Sequence, residues 1–234
     1  NEDPQTSERH LDLYCWVYMM TDVLQQMRDY LSIETDKTEL RETLTTMKTD
    51  LKKHHWNPVI NWYSDYAGLP TVNETRNEYS DHIGYVSLFP LLFGLVDIES
   101  DEIETIFNYI SDSKYLWTNF GLRSLSASDP LAGTKENYWR GPIWMNINYL
   151  TLRALHKNIV RDRPTSEEKV ENRRQRAKKI YTDLRNNLIQ NLSSNFARFR
   201  TFHEQYSPFD GKGERAYPFT GWTTLIIPIM AEMF

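Results

Sequence analysis

Apolar residues recur at the spacing of an α-helix along most of the chain, and this pattern constrains the fold more than any other feature. Leu11, Cys15 and Tyr18 illustrate it, because side chains three or four positions apart lie on one face of a helix. No self-similarity at 33–45 residues is visible, which argues against a helical-repeat solenoid. About seven helices are predicted, over residues 8–31, 36–55, 82–95, 101–111, 139–158, 165–190 and 220–233.

Long irregular segments with many aromatic residues separate several of these helices. Residues 56–80, 112–135 and 195–218 contain the Pro, Gly and Asn residues that interrupt helices, and a short extended segment is predicted around residues 198–204. Loops of this length in a compact domain usually have a function. Helices whose loops collect at one end suggest an all-α, (α/α) toroid in which the loops line a pocket.

Composition and charge exclude several classes of function. The chain has 27 Lys and Arg against 32 Asp and Glu, a net charge of −5, so we expect no nucleic-acid partner. Its longest apolar run, residues 85–96, is shorter than the roughly 20 residues of a membrane span. The single Cys15 excludes a disulfide within the chain, and its apolar surroundings predict a core residue. No metal or nucleotide motif is visible, so we expect neither a metal nor a cofactor.

The segment 138–149 has the residue types of a carbohydrate site. It combines Trp139, Arg140, Trp144 and Asn146 at a predicted loop-to-helix junction. Flat aromatic rings stack on sugar rings, while Arg and Asn side chains bond neighbouring hydroxyls. The alternative is that both tryptophans belong to the core and that Arg140 caps a neighbouring segment.

Glu204 is the second candidate for chemistry. It is the only carboxylate between Asp183 and Asp210, and aromatic residues flank it. A carboxylate in such surroundings is a candidate general base or acid. It could equally be a surface residue beside the following turn. That turn, residues 210–214, lacks the alternating acidic positions of a calcium loop.

Three further features carry weaker signals. Glu8 and Asp12 could form a paired-carboxylate site, but we favour negative charge at a helix N-terminus, and His10 alone is weak evidence for a metal. The sequons at Asn73 and Asn191 are candidate glycosylation sites in a secreted chain. The charged residues of the helix over 165–190 predict a solvated outer face; they are Lys169, Arg173, Arg174, Arg176, Lys178 and Lys179.

Six ordered segments together resemble the C-terminal catalytic domain of the processing α-glucosidases in glycoside hydrolase family 63. The resemblance covers nearly the whole chain, which makes it far more specific than any single motif. The matching segments are Glu8–Trp16, His82–Pro90, Phe120–Ser126, Tyr138–Trp144, Glu204–Ser207 and Phe219–Thr223.

The resemblance implies a fold, an activity and a site. The family fold is an (α/α)6 toroid, and the enzyme inverts the anomeric configuration as it removes the terminal α-1,2-linked glucose from the triglucosylated N-glycan precursor in the endoplasmic reticulum. Glu204 would be the general base that activates water. Trp139, Arg140, Trp144 and Asn146 would line the glucose subsite, with Tyr206 and Trp222 nearby.

The sequence also departs from the family pattern. The family's general acid lies in an Asp-Asp-Tyr-Pro-Arg-like segment, and this segment, the N-terminal β-sandwich, the membrane anchor and the first toroid helices are absent from the chain. Residues 1–234 are therefore expected to form part of a single (α/α)6 catalytic domain that is inactive alone. A membrane is expected only through the absent anchor, and no obligate protein partner is inferred.

Three alternatives stay open from the sequence. The chain could be a carbohydrate-binding remnant without catalysis, in which Glu204 would be dispensable. It could belong to another (α/α)6 glycosidase of trehalase or glucoamylase type, which would differ in the linkage that is cleaved. It could also be a helical interaction scaffold that uses the charged helix over residues 165–190.

Overall fold

The computed structural model describes residues 8–33, 37–66, 79–160 and 167–234. The chain divides into two compact units, one of Asn1–His82 with Val86–Val96 and one of Ile83–Tyr85 with Asp97–Phe234. The described residues contain seven α-helices: α1 (Leu11–Tyr30), α2 (Lys37–His55), α3 (Phe89–Leu92), α4 (Ile103–Ser111), α5 (Met145–Val160), α6 (Glu168–Phe199) and α7 (Ile226–Ala231). Two 3-10 helices span Tyr85–Leu88 and Trp222–Leu225.

Sheet structure is limited to three antiparallel pairs of very short strands in the described ranges. They pair β1 (Trp56–Asn57) with β2 (Trp62–Tyr63), β3 (Trp117–Thr118) with β4 (Gly121–Leu122), and β5 (Gln205–Tyr206) with β6 (Gly213–Glu214). Each pair is a hairpin within a segment that the sequence assigned to a loop. The hairpins fix the path of these loops, because their backbone groups are paired even though no extended sheet forms.

In the first unit, α1 packs against α2 and α3. Leu11 and Cys15 are fully buried, which confirms Cys15 as a core residue. Burial also raises the pKa of its thiol, so Cys15 is not a ready nucleophile. Both helices match the predicted spans closely, although residue 36, the predicted start of α2, lies outside the described residues.

The prediction of one continuous helix over residues 82–95 is wrong. The structure has the 3-10 helix Tyr85–Leu88 and the single turn of α3 instead. Pro90 sits in the first turn of α3, where its missing N–H costs nothing. Gly94 adopts φ +81°, a left-handed conformation that ends the helix. Leu88 and Leu91 of this segment belong to the buried core.

In the second unit, α6 is the central element. Helices α4, α5 and α7 all pack against it, and its 32 residues make it the longest helix of the described ranges. Leu184 and Leu188 are fully buried. The helix continues nine residues past the predicted end and stops at Arg200, a C-cap in the left-handed conformation. The predicted extended segment around residues 198–204 is therefore displaced, since the strand is Gln205–Tyr206.

Helix α5 begins six residues later than predicted. The segment before it is extended because Ile143 exchanges two backbone hydrogen bonds with Tyr206, at 2.8 and 3.0 Å. Gly141 has φ +143°, a conformation that side chains oppose, and it turns the chain towards this pairing. A long-range backbone contact thus overrides the local helical pattern, and Pro142 does not occupy a first helical turn.

The solvated outer face of α6 needs a correction. Lys169, Lys178 and Lys179 are exposed as expected. Arg176 is half-buried, and Arg174 is buried at 9% exposure. Arg173 is only 2% exposed. Its guanidinium donates to the backbone oxygens of Ile98 and Glu99 and to the carboxylates of Asp101 and Glu104. Burying a cation is costly unless it is paired and hydrogen-bonded, and this network supplies both.

The last predicted helix is also shorter than expected. Residues 220–233 contain the 3-10 helix Trp222–Leu225 followed by α7, which ends at Ala231. Across the described ranges, no helix combines the length and the apolar character that crossing a lipid bilayer would require.

Candidate active site

Glu204 lies immediately before β5, and the hairpin formed with β6 holds its backbone. Its N–H donates to the backbone oxygen of Ala216 at 3.0 Å. The side chain is half-buried and accepts two hydrogen bonds. The Tyr138 hydroxyl donates to Oε1 at 2.5 Å, and the Ala216 amide approaches Oε2 at 3.3 Å. The carboxylate therefore has a fixed orientation but remains reachable from outside.

A cluster of aromatic rings surrounds this carboxylate. Trp139 stacks on Trp144, with ring centroids 4.2 Å apart and planes 15° from parallel. Trp144 is fully buried, whereas Trp139 is 49% exposed. Trp222 packs 5.5 Å from Trp144 and donates its indole N–H to the backbone oxygen of Glu204 at 2.8 Å. The cluster thus holds the backbone of Glu204 through the Trp222 indole and leaves the Trp139 ring exposed to solvent.

Two backbone contacts bring the distant segments of this site together. The Ile143–Tyr206 pairing joins the stretch before α5 to the hairpin that follows α6. The Trp144 indole then donates to the backbone oxygen of Tyr138 at 3.1 Å, which places the Tyr138 hydroxyl against Glu204. The site is therefore assembled by chain segments 66 residues apart in sequence.

The phenol and the imidazole nearest to Glu204 are uncharged near neutral pH. The hydrogen bond to Glu204 raises the pKa of the Tyr138 phenol above its usual value, with burial and the negative charge of the carboxylate acting in the same direction. His203 is buried, and burial lowers the pKa of its imidazole. Its ring packs so closely on Gly213 that a Cβ there would stand 2.2 Å away. Arg215, a cation, lies over the Tyr138 ring and pairs with Glu136.

The other predicted subsite residues take varied positions. Arg140 donates to the backbone oxygen of Thr134 at 3.4 Å, which anchors the preceding loop. Asn146 accepts from the Ile147 amide in the first turn of α5. Tyr206 is fully buried, and burial raises the pKa of its phenol to about 12. The structure therefore groups Trp139, Trp144 and Trp222 with Glu204, while the Tyr206 ring belongs to the core.

The sequence analysis missed Tyr138 as a site residue. The only available signal was its position directly before Trp139 in the aromatic segment. Its contact with Glu204 spans 66 residues, so no local pattern could reveal it.

A second group of polar side chains lies at the start of α1. His10, Asp12 and Asp65 place ligand atoms within 4.8 Å of one another, a spacing that a metal could use. Asp65 Oδ1, however, accepts from the Leu11 amide at 2.7 Å, and Asp12 Oδ1 accepts from the Leu13 amide. Both carboxylates thus satisfy backbone donors at a helix N-terminus, as favoured for Asp12. Glu8 lies outside the helix and 3.9 Å from His10.

The two sequons have different outcomes. Asn73 lies outside the described residues. Asn191 lies inside α6, is 6% exposed, and its Oδ1 accepts from Asn195. A buried helical asparagine does not offer the accessible position that a glycan needs, so the geometry argues against modification there.

Solved structures with a similar fold are all-α enzymes. A family 63 mannosylglycerate hydrolase from Thermus thermophilus, solved in complex with glucose, superposes with a TM-score of 0.66 at 16% identity, over 96% of this chain and 48% of that one. The neutral trehalase of Saccharomyces cerevisiae gives 0.66 at 13% identity, over 99% of this chain and 39% of that one. The fold class is therefore all-α, of the (α/α)6 toroid type.

Sequence comparison then gives the family. The profile of the glycosyl hydrolase family 63 C-terminal domain matches residues 1–232, so the chain belongs to this family. A probable mannosyl-oligosaccharide glucosidase of Schizosaccharomyces pombe is 35% identical over 100% of this chain, and the mannosyl-oligosaccharide glucosidase of Saccharomyces cerevisiae is 34% identical over 99%. The chain spans 28% and 27% of the lengths of these two relatives.

Proposed function

We propose that this protein is an inverting α-glucosidase that removes the terminal α-1,2-linked glucose from the triglucosylated N-glycan precursor. The observation that carries the proposal is the oriented, half-buried Glu204 carboxylate inside a tryptophan cluster with one exposed ring. Family membership and the names of the two yeast relatives support this choice of substrate. The endoplasmic reticulum is the compartment in which such a precursor is processed, and we propose it as the location.

Glu204 would act as the general base. An inverting glycosidase removes a proton from water with one carboxylate, and that water attacks the anomeric carbon from the face opposite the leaving group. A second carboxylic acid protonates the departing glycosidic oxygen. The hydrogen bonds from Tyr138 and Ala216 would aim the Glu204 oxygens, so that little reorientation is needed during the reaction.

The exposed Trp139 ring would serve as the sugar platform. An aromatic face stacks on the apolar face of a pyranose, and the buried Trp144 keeps Trp139 in place from behind. Trp222 would complete the wall next to Glu204. We propose that Arg140 and Asn146 act on the subsite by fixing the loop and the helix that bear it, and that Tyr206 acts through its backbone pairing.

The remaining parts of the machinery are proposed from family membership. The general acid would come from a segment upstream of Glu8, and the whole chain would be part of one catalytic domain, since the family profile spans both compact units. The substrate is a glycan, and the proposed chemistry needs only two carboxyl groups and water.

The decisive experiment measures glucose release from a triglucosylated N-glycan by the full-length protein, with Glu204→Gln as the variant. Loss of about three orders of magnitude in kcat is expected, because a general base contributes about 10²–10⁴-fold. Glu99→Gln is the matched control, since this glutamate is exposed and distant in sequence from the site. A Glu204→Gln protein as active as the wild type would remove Glu204 from the chemistry and favour a non-catalytic binding function for this cluster.

A panel of disaccharide linkages tests the substrate separately. The similarity to a mannosylglycerate hydrolase and to a trehalase shows that this fold accommodates several glycosides. Preference for the α-1,2-linked glucose is expected. Preference for trehalose or for mannosylglycerate would keep the role of Glu204 and overturn the proposed substrate.

A further inference from the structure

An arginine connects two loops beside the candidate active site. Arg215 lies in the loop that follows β6, and its guanidinium sits over the Tyr138 ring, 5.4 Å from the ring centroid. The same guanidinium forms an ion pair with Glu136, two residues before Tyr138. Side-chain contacts of Arg215 thus join the loop that carries Tyr138 to the hairpin next to Glu204.

The backbone of Arg215 has a conformation that side chains oppose. Its φ is +66°, in the left-handed region that favours glycine. Arg200 and Glu232 share this conformation because they end α6 and α7, whereas Arg215 lies in a loop. Strained residues of this kind persist where their surroundings fix them, and they concentrate at functional sites. An arginine at this position therefore indicates a use for its guanidinium.

The loop that contains Arg215 also contacts Glu204 directly. The Ala216 amide donates to Glu204 Oε2 at 3.3 Å, and the Ala216 oxygen accepts from the Glu204 amide at 3.0 Å. Oε1 accepts from the Tyr138 hydroxyl. One carboxylate oxygen is therefore held by the residue that follows Arg215, and the other by the phenol whose ring Arg215 covers.

The charge of Arg215 acts on the Tyr138 phenol as well. The hydrogen bond to Glu204 raises the pKa of this phenol, and the nearby guanidinium opposes the rise. A positive charge near a hydroxyl favours loss of its proton and so makes the hydroxyl a stronger hydrogen-bond donor. The ion pair of Arg215 with Glu136 is exposed and contributes little to stability. Its consequence lies in where it keeps the guanidinium.

We propose that Arg215 is a positioning residue of the candidate active site, which holds the Tyr138 hydroxyl against the Glu204 carboxylate through its contact with the Tyr138 ring and its ion pair with Glu136. The inference rests on the proposed role of Glu204 as a general base. Because Arg215 acts through Tyr138 rather than on the sugar, its loss should lower kcat and leave KM unchanged.

The test measures kcat and KM for glucose release by the full-length protein with Arg215→Gly and Arg215→Lys. Glycine suits the left-handed backbone, so the loop should keep its path while the guanidinium is lost. We expect kcat to fall about two- to fivefold, the factor that a cation over an exposed ring contributes. Lysine keeps the charge and should restore most of kcat. The matched control is Arg200→Gly, an exposed arginine with the same backbone conformation, which should leave kcat unchanged.

A second background separates positioning from other roles of Arg215. In the Tyr138→Phe protein, Arg215→Gly should lower kcat no further, because the hydroxyl through which Arg215 acts is already gone. Equal losses in both backgrounds, or a raised KM with an unchanged kcat, would overturn the proposal. A wild-type kcat and KM in Arg215→Gly would also overturn it, while the role of Glu204 would stand.

A spectroscopic probe makes the test independent of activity. Fluorotyrosine incorporated at position 138 of the full-length protein gives a single fluorine NMR resonance, and its pH titration follows the phenol. Arg215→Gly should raise the titration midpoint because a positive charge is lost, whereas Glu204→Gln should lower it and Arg200→Gly should leave it in place. These shifts in a protein that releases no glucose would keep the positioning by Arg215 and reject the glucosidase activity. An unchanged midpoint in Arg215→Gly would overturn the positioning role even in an active enzyme.

Discussion

Glu204 and Asp65 are both oriented carboxylates, but their partners differ in kind. Asp65 accepts from the backbone amide of Leu11 at the start of α1, where an unpaired donor would otherwise remain. Glu204 accepts from a phenol, at 2.5 Å, and stands among tryptophan rings beside a solvent-exposed face. Satisfying a helix end contributes to stability. Orientation by a side-chain hydroxyl within an aromatic cluster, rather than by a helix end, is what the proposed role of Glu204 as a general base requires.

The largest expected effect separates activity from stability at Glu204. The Glu204→Gln protein should lose about 10³-fold in glucose release while its free energy of unfolding changes by less than about 1 kcal/mol, since an amide keeps the size and one acceptor. Urea unfolding next to the glucose assay provides both values. A loss of stability comparable to the loss of activity would make Glu204 a structural carboxylate like Asp65.

The next effect concerns Tyr138. Tyr138→Phe removes the hydroxyl that donates to Glu204 and should lower kcat by about 10–100-fold, because a hydrogen bond to a charged group contributes about 1.5–3 kcal/mol. KM should change little if Tyr138 orients the base rather than the sugar. Tyr149→Phe, whose ring packs on Phe234, is the matched control. An unchanged kcat would show that the Glu204 orientation does not depend on this hydroxyl.

Asp65→Ala should show the opposite result to Glu204→Gln, a loss of stability rather than a loss of activity. Removal of the acceptor for the Leu11 amide is expected to lower the free energy of unfolding by about 1 kcal/mol, the usual cost of a lost helix cap. Denaturant unfolding measures this change, with Glu42→Ala, an exposed carboxylate of α2 in the same unit, as the comparison. Full stability of Asp65→Ala would show that water replaces the carboxylate at the helix end. A large loss of kcat with unchanged stability would erase the distinction from Glu204.

The smallest effect is a pH dependence carried by one buried histidine in each unit. Burial lowers the pKa of His55 and of His203, so in the folded state each stays neutral to a lower pH than in the unfolded chain. The unfolded state then binds more protons below about pH 6.5, and stability falls as the pH is lowered. Each histidine contributes at most about 0.7 kcal/mol between pH 7 and pH 6.

Thermal unfolding across this pH range, compared between wild type and His203→Asn, measures the contribution of the second unit. The variant should have a flatter profile even if its overall stability is lower, because the slope reports protons rather than packing. A slope equal to that of the wild type would assign the pH dependence elsewhere.

The sequence by itself determined the helical class, the positions of α1, α2 and α4, and the burial of Cys15. These depend on local periodicity, which each segment carries within itself. It also proposed Glu204 and Trp139 as candidate site residues, since a lone carboxylate among aromatic residues and a Trp-Arg-Asn segment are visible in the chain. Six ordered segments gave the family.

Tertiary contacts decided the rest. His10 offers no side-chain cap to α1, and Asp65 supplies it from 54 residues away. Pairing of Ile143 with Tyr206 delays the start of α5, and bonding to Ile98, Glu99, Asp101 and Glu104 draws Arg173 out of solvent. The Tyr138 hydroxyl reaches Glu204, 66 residues away in sequence, because the pairing of Ile143 with Tyr206 brings the two segments together. A linear pattern specifies which face of a segment is apolar, but a hydrogen bond between distant segments exists only after the chain has folded.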